Sequence, residues 1–120
     1  MKSYVYLVLC EKGVWKFGET AQSYTTRVSQ IRSEKGYWRA QAAQVIALYD
    51  VDATTRKILE DHIRVSFFNT QKVDCFGRDY FKTKTYSPMV QFYFNKVATE
   101  FCHLHNIKFE ILPLWEEKTA

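Results

Sequence analysis

The sequence predicts an α/β domain in the α+β arrangement, a small antiparallel sheet of three strands flanked by helices. Three observations carry that expectation. Residues 4–10 and 14–18 are runs rich in β-branched and aromatic residues separated only by Glu11-Lys12-Gly13, which is a hairpin signature. Apolar residues elsewhere recur at helical spacing: Tyr24, Val28 and Ile31, then Leu59, Ile63 and Phe67, then Val90, Phe94, Val97, Phe101 and Leu104. Between the first two of these stretches, residues 43–51 return to strand-forming composition.

Taken in order, the hairpin comes first. A three-residue turn closing on glycine sets a register in which Cys10 faces Val14, Val8 faces Lys16 and Tyr6 faces Gly18. Tyr6 and Lys16 then share one sheet face as diagonal neighbours, while Val5, Leu7, Leu9, Trp15 and Phe17 form an apolar set on the other. The apolar face is expected to pack on helices, and the face with Tyr6 and Lys16 to be available. A helix follows from about Ser23, with Arg27, Gln30 and Glu34 on a stripe beside its apolar one and Gly36 as its stop. Residues 54–68 read as the second helix, with Glu60 at the edge of its apolar stripe. Ser87-Pro88 pairs an N-cap residue with proline at the first helical position, and residues 108–112 add a short strand. The least regular stretch is 69–86, where Lys72, Arg78, Lys82 and Lys84 interleave with Phe76, Tyr80, Phe81 and Tyr86. A long connection of this kind is where function tends to concentrate.

A chain of 120 residues, 47% hydrophobic and 17% aromatic, suits one domain over 1–120 with ample material for a core. Its net charge of +4 and isoelectric point near 9.0 favour acidic partners over cationic ones. The apolar run at the N-terminus is too short for a signal peptide, and no stretch approaches the roughly 20 apolar residues of a membrane span. The expectation is a soluble cytoplasmic protein without a membrane partner. Cys10, Cys75 and Cys102 lack C-x-x-C spacing, so neither a disulfide framework nor a zinc site is suggested.

With Tyr4-Val5-Tyr6 on the first strand, Lys16-Phe17-Gly18 on the second, Thr20 shortly after, Arg27 on the first helix and Glu60 on a later one, the chain resembles the GIY-YIG nuclease family. Gly77-Arg78-Asp79-Tyr80-Phe81 is similar to a run seen in a small single-domain branch of that family, so the resemblance spans about residues 4–81, leaving a C-terminal helix and tail over 87–112. It implies a metal-dependent endonuclease that hydrolyses phosphodiester bonds of DNA. Tyr6 would stand beside the attacking water, Arg27 would hold the scissile phosphate, and Glu60 would coordinate one Mg2+ or Mn2+. Charge gathers on the phosphate oxygens in the transition state, so an arginine and a hard cation are suitable stabilisers. One carboxylate suits magnesium, which keeps several waters and takes substrate phosphate as a ligand. Lys16 stands where the family name has tyrosine; it is a general base if neutral or a phosphate clamp if charged. Tyr4 replaces the first glycine, and Asn69 and Asn95 both compete for the family's terminal asparagine. The catalytic candidates are therefore Tyr6, Lys16, Arg27 and Glu60, and the nucleic-acid-binding candidates Arg27, Lys72, Arg78, Lys82 and Lys84.

Each has an ordinary alternative. Tyr6 is a routine strand former, Lys16 a solvent-facing hairpin residue, Arg27 a helix flank, and Glu60 a partner for Arg56 or Arg64 four residues away. Phe76, Tyr80 and Phe81 equally suit core plugs. His103 and His105 are two apart and His62 is two from Glu60, spacings that do not share a helix face, so they make a weak metal set. The rival functions are a GIY-YIG-like nucleic-acid-binding module without catalysis and a protein-interaction domain. The chain is too short for a separate specificity domain, which leaves its own loops with a homodimer, weak specificity, or a targeting partner.

Overall fold

An unbroken apolar run such as Val5 to Cys10 is stable in a strand only when both faces of the sheet are covered. The computed structural model describes residues 1–31, 39–70, 73–76, 80–83 and 87–116, and in it both faces are covered. The elements are β1 (Lys2–Cys10), β2 (Trp15–Thr20), α1 (Tyr24–Ile31), β3 (Ala40–Tyr49), α2 (Ala53–Thr70), β4 (Val73–Phe76), β5 (Tyr80–Thr83), α3 (Ser87–Leu104), β6 (Lys108–Ile111) and β7 (Trp115–Glu116). The class is α+β, with every described strand pairing antiparallel.

The first hairpin has the expected register, with Tyr6 opposite Gly18 and Val8 opposite Lys16. Its turn is a single 3-10 turn over Glu11–Gly13, and Gly13 closes it at φ 71, a conformation that costs glycine nothing. Helix termini follow local capping rules. The Asp52 carboxylate accepts the Thr55 N–H at 2.7 Å to start α2, and α3 ends with Asn106 at φ 53 while the Ile107 N–H reaches back to the Cys102 carbonyl at 2.8 Å.

The three expected strands lie together at the centre, but the sheet does not stop there. Among the described residues it has seven strands, ordered β4-β5-β2-β1-β3-β6, with β7 also on β3. The stretch 69–86, expected to be an irregular connection, supplies β4 and β5 as a hairpin on the outer edge of β2. The tail covers β3: β6 pairs with Ile46–Tyr49 and β7 with Ala42 and Ala43. Pro113, which has no N–H to give the ladder, sits between β6 and β7, and the register shifts by one residue there.

Two cores follow from strand alternation. On one face Val5, Leu7, Trp15, Phe17, Ile46 and Leu48 pack under α2 and α3, meeting Leu59, Ile63, Phe67, Val90 and Phe94. The other face was expected to be available and is not. Tyr6, Val8, Cys10, Val14 and Val45 form a second core there, closed by Val28 of α1 and edged by Tyr24, Leu112 and Trp115. Small residues, Ala40 and Ala43, let this layer close tightly. Among the described residues no helix is long and apolar enough to cross a membrane.

Candidate functional site

Among the described residues, β5 pairs with β2 at Trp15 and Lys16. Beyond Lys16, no described strand pairs with that edge of β2, and groups from both faces of the sheet can meet around it. There Tyr6 from β1, Lys16 from β2, Arg27 from α1 and Glu60 from α2 line one cleft of about 230 Å³, with Gly18, Glu19 and Lys57. The site was expected on the sheet face carrying Tyr6 and Lys16. It instead wraps the edge of β2, because Glu60 belongs to a helix on the opposite face.

Gly18 makes this possible. A Cβ built there would overlap Cε1, Cζ and Oη of Tyr6, so the phenol lies directly over the glycine of the facing strand. Tyr6 is 1% exposed. Burial pushes its pKa above the ordinary value of 10.0; the opposing, smaller effect is Arg27, which donates a hydrogen bond to the phenol oxygen and stands near it as a charge. Glu60 and Glu19 push the same way as burial, so the hydroxyl senses one cation and two carboxylates. Ser23 begins α1, accepting the Arg27 N–H at 3.2 Å, and Thr20 Oγ1 accepts the Gln22 N–H at 3.0 Å to shape the turn before it. These local bonds set where Arg27 emerges.

Lys16 is buried, 6% exposed, and its Nζ lies 4.8 Å from the centre of the Tyr80 ring, its cross-strand partner on β5. The solvent-facing alternative for Lys16 therefore does not hold. Glu60, also 6% exposed, realises its ordinary alternative in part: Arg64 Nη2 donates to Oε1 at 2.6 Å, and Lys57 Nζ stands 3.8 Å from Oε2. Arg56, the other expected partner, pairs with Glu19 instead.

The donor set can be tested against a divalent cation. Arg64 braces Oε1 of Glu60, Lys57 Nζ stands 3.8 Å from Oε2, and Glu19 lines the same cleft. Among the described residues there is no group of three or more His, Cys, Asp or Glu that could hold an ion. Glu60 and Glu19 would suit a hard cation such as magnesium, which takes one or two carboxylates and fills its shell with water and phosphate.

Other sequence candidates lie elsewhere. Lys82 sits on β5, two residues past Tyr80 towards the Val14 end, and does not line the cleft. Lys72, Arg78 and Lys84 fall outside the described residues. Asn95 is on α3, away from the cleft lining, and the side chain of Asn69 is likewise not described. His62, His103 and His105 pack against Phe101, Phe109 and Phe101 respectively. Phe81 is the core plug its aromatic character allowed, stacked on Phe17 at 4.8 Å. Sequence reasoning missed Glu19 and Lys57. Glu19 directly follows Lys16-Phe17-Gly18, and Lys57 precedes Glu60 by one helical turn, so both were within reach of spacing arguments.

No protein-family model matches the chain, and neither curated proteins nor solved structures include a match to it.

Proposed function

We propose that this protein is a GIY-YIG-like, metal-dependent endonuclease that hydrolyses phosphodiester bonds of DNA. The observation that carries the reading is convergence: four residues separated by up to 54 positions in sequence, Tyr6, Lys16, Arg27 and Glu60, meet in one polar cleft. The choice of DNA rests on the resemblance of the strand motifs.

Tyr6 acts as a neutral phenol near neutral pH, since burial holds its proton. Its oxygen accepts from Arg27 and its own O–H remains a donor, which orients a water molecule for attack on phosphorus. Arg27 has five N–H donors, enough to brace Tyr6 and also meet the nonbridging oxygens of the scissile phosphate. Lys16 is read as a phosphate clamp, held against the Tyr80 ring while its side chain lines the cleft. Glu60 would hold the metal ion, with Arg64 fixing the carboxylate's orientation as an outer-shell partner does. Magnesium bound there supplies Lewis-acid stabilisation of the charge that develops on the phosphate oxygens.

A binding module that has lost cleavage is the second reading. It draws on the arginines that engage both cleft carboxylates, Arg64 on Glu60 and Arg56 on Glu19. Nicking of supercoiled plasmid decides between the two. The nuclease reading expects nicking with magnesium or manganese, none with EDTA, and a loss of roughly 10²-fold or more in Glu60→Ala and Tyr6→Phe. Equal inertness of all three proteins, with DNA still shifted in a gel, overturns it in favour of the binding module.

A further inference from the structure

Three basic residues line the cleft, and two of them are tied to tyrosines, Lys16 to Tyr80 on β5 and Arg27 to Tyr6 within the cleft. The third, Lys57, is differently placed. It projects from α2 three residues before Glu60, and its side chain is 45% exposed against 8% for Glu60. Its contacts with Glu60 Oε2 and Asp61 Oδ1 are both 3.8 Å, too long for hydrogen bonds. Its neighbours on the same helix are engaged more closely: Arg56 with Glu19, and Arg64 with Glu60 at 2.6 Å. Exposed ion pairs at such distances hold a lysine weakly. Lys57 is thus a partly exposed cation, loosely paired, in a cleft that Lys16 and Arg27 also line.

We infer that Lys57 binds a second, non-scissile phosphate of the nucleic-acid strand, tracking the backbone from the cleft onto α2. This rests on the nucleic-acid reading of the site, though not on cleavage. A nucleic-acid strand carries a phosphate at every nucleotide, and Arg27 and Lys57 line the same cleft, so a strand with one phosphate at Arg27 has a neighbouring phosphate to offer Lys57. An ammonium on a four-carbon stem follows such a point charge without demanding fixed geometry. The role is affinity and register, not transition-state stabilisation.

The test is fluorescence anisotropy of a labelled DNA duplex with the full chain in EDTA, across a series of salt concentrations. Lys57→Gln, Lys57→Arg and, as a control, Lys96→Gln on the exposed side of α3 are compared with wild type. The inference expects Lys57→Gln to flatten the slope of log affinity against log salt by about 0.9 and to weaken binding several-fold at low salt. Lys57→Arg should keep the wild-type slope and Lys96→Gln should not change it. A wild-type slope in Lys57→Gln overturns the inference, as does an equal loss in Lys96→Gln. If wild type shows no salt-dependent DNA binding, the inference and the proposed function fall together. If the slopes behave as expected and wild type never nicks DNA, the phosphate role of Lys57 stands and only the nuclease reading fails.

Discussion

At the scale of single residues, the close approach of Tyr6 to Gly18 is the tightest constraint in the cleft. Any side chain at position 18 must displace the phenol that Arg27 holds. Gly18→Ala is expected to cost about 1–3 kcal/mol through overpacking, read as a lowered midpoint in urea unfolding. It should also remove nicking activity, because Tyr6 moves with it. Tyr6 also sets a pH dependence whose sign follows from its environment. Burial raises its folded-state pKa above 10.0, so the folded protein binds that proton more tightly than the unfolded chain does. The resulting stability is complete below about pH 10 and is lost as pH rises through the folded value. Wild type should therefore lose Tm more steeply than Tyr6→Phe as the pH is raised above about 10. Parallel Tm curves for the two proteins in that range would sink this account. The sequence identified Tyr6, Lys16, Arg27 and Glu60 as candidates but missed Glu19 and Lys57. The candidates matched strand motifs and helix positions, whereas the two missed residues matter only through the way α2 lies against the edge of β2.

At the scale of elements, the β4-β5 hairpin shows how packing overrides appearance. Tyr80-Phe81-Lys82-Thr83 is too short and too charged to stand out as a strand, yet alternation sends Phe81 inward and Tyr80 to the other face. Phe81 stacks on Phe17 at 4.8 Å and meets Phe67 at 5.8 Å, which fastens the hairpin to the main core. Phe81→Ala is expected to lower stability by about 3–5 kcal/mol, measured by chemical denaturation. It should also loosen Lys16, whose ring partner Tyr80 is the adjacent residue. A second consequence lies at the other side of the sheet. β6 and β7 cover the outer edge of β3, and Leu112 N–H adds a bond to the Val45 carbonyl at 3.0 Å between them. A chain truncated after Ile107 leaves that edge unpaired, and size-exclusion chromatography is expected to show concentration-dependent association. A monodisperse truncated chain at high concentration would count against this role for the tail.

At the scale of the whole molecule, the fold sets helices on both faces of an extended antiparallel sheet, with the cleft beside β2 next to its pairing with β5 at Trp15 and Lys16. Much of this was legible in order of appearance. The hairpin and its register, the three helices, the central strand after the first helix and the short strand in the tail all follow from period, turn chemistry and capping. Those are interactions between residues close in sequence, which is why the sequence by itself determined them. Tertiary structure alone decided that the sheet grows beyond three strands, to seven among the described residues, that the face of Tyr6 and Lys16 is covered by α1, and that the cleft wraps an edge instead of lying on a face. It also decided which arginine serves which glutamate: Arg56 reaches across to Glu19 on β2, while Arg64 stays with Glu60 on its own helix. Short strands gain their stability from partners distant in sequence, and a charged side chain takes whichever opposite charge the packing brings within reach. Neither choice is written in local pattern.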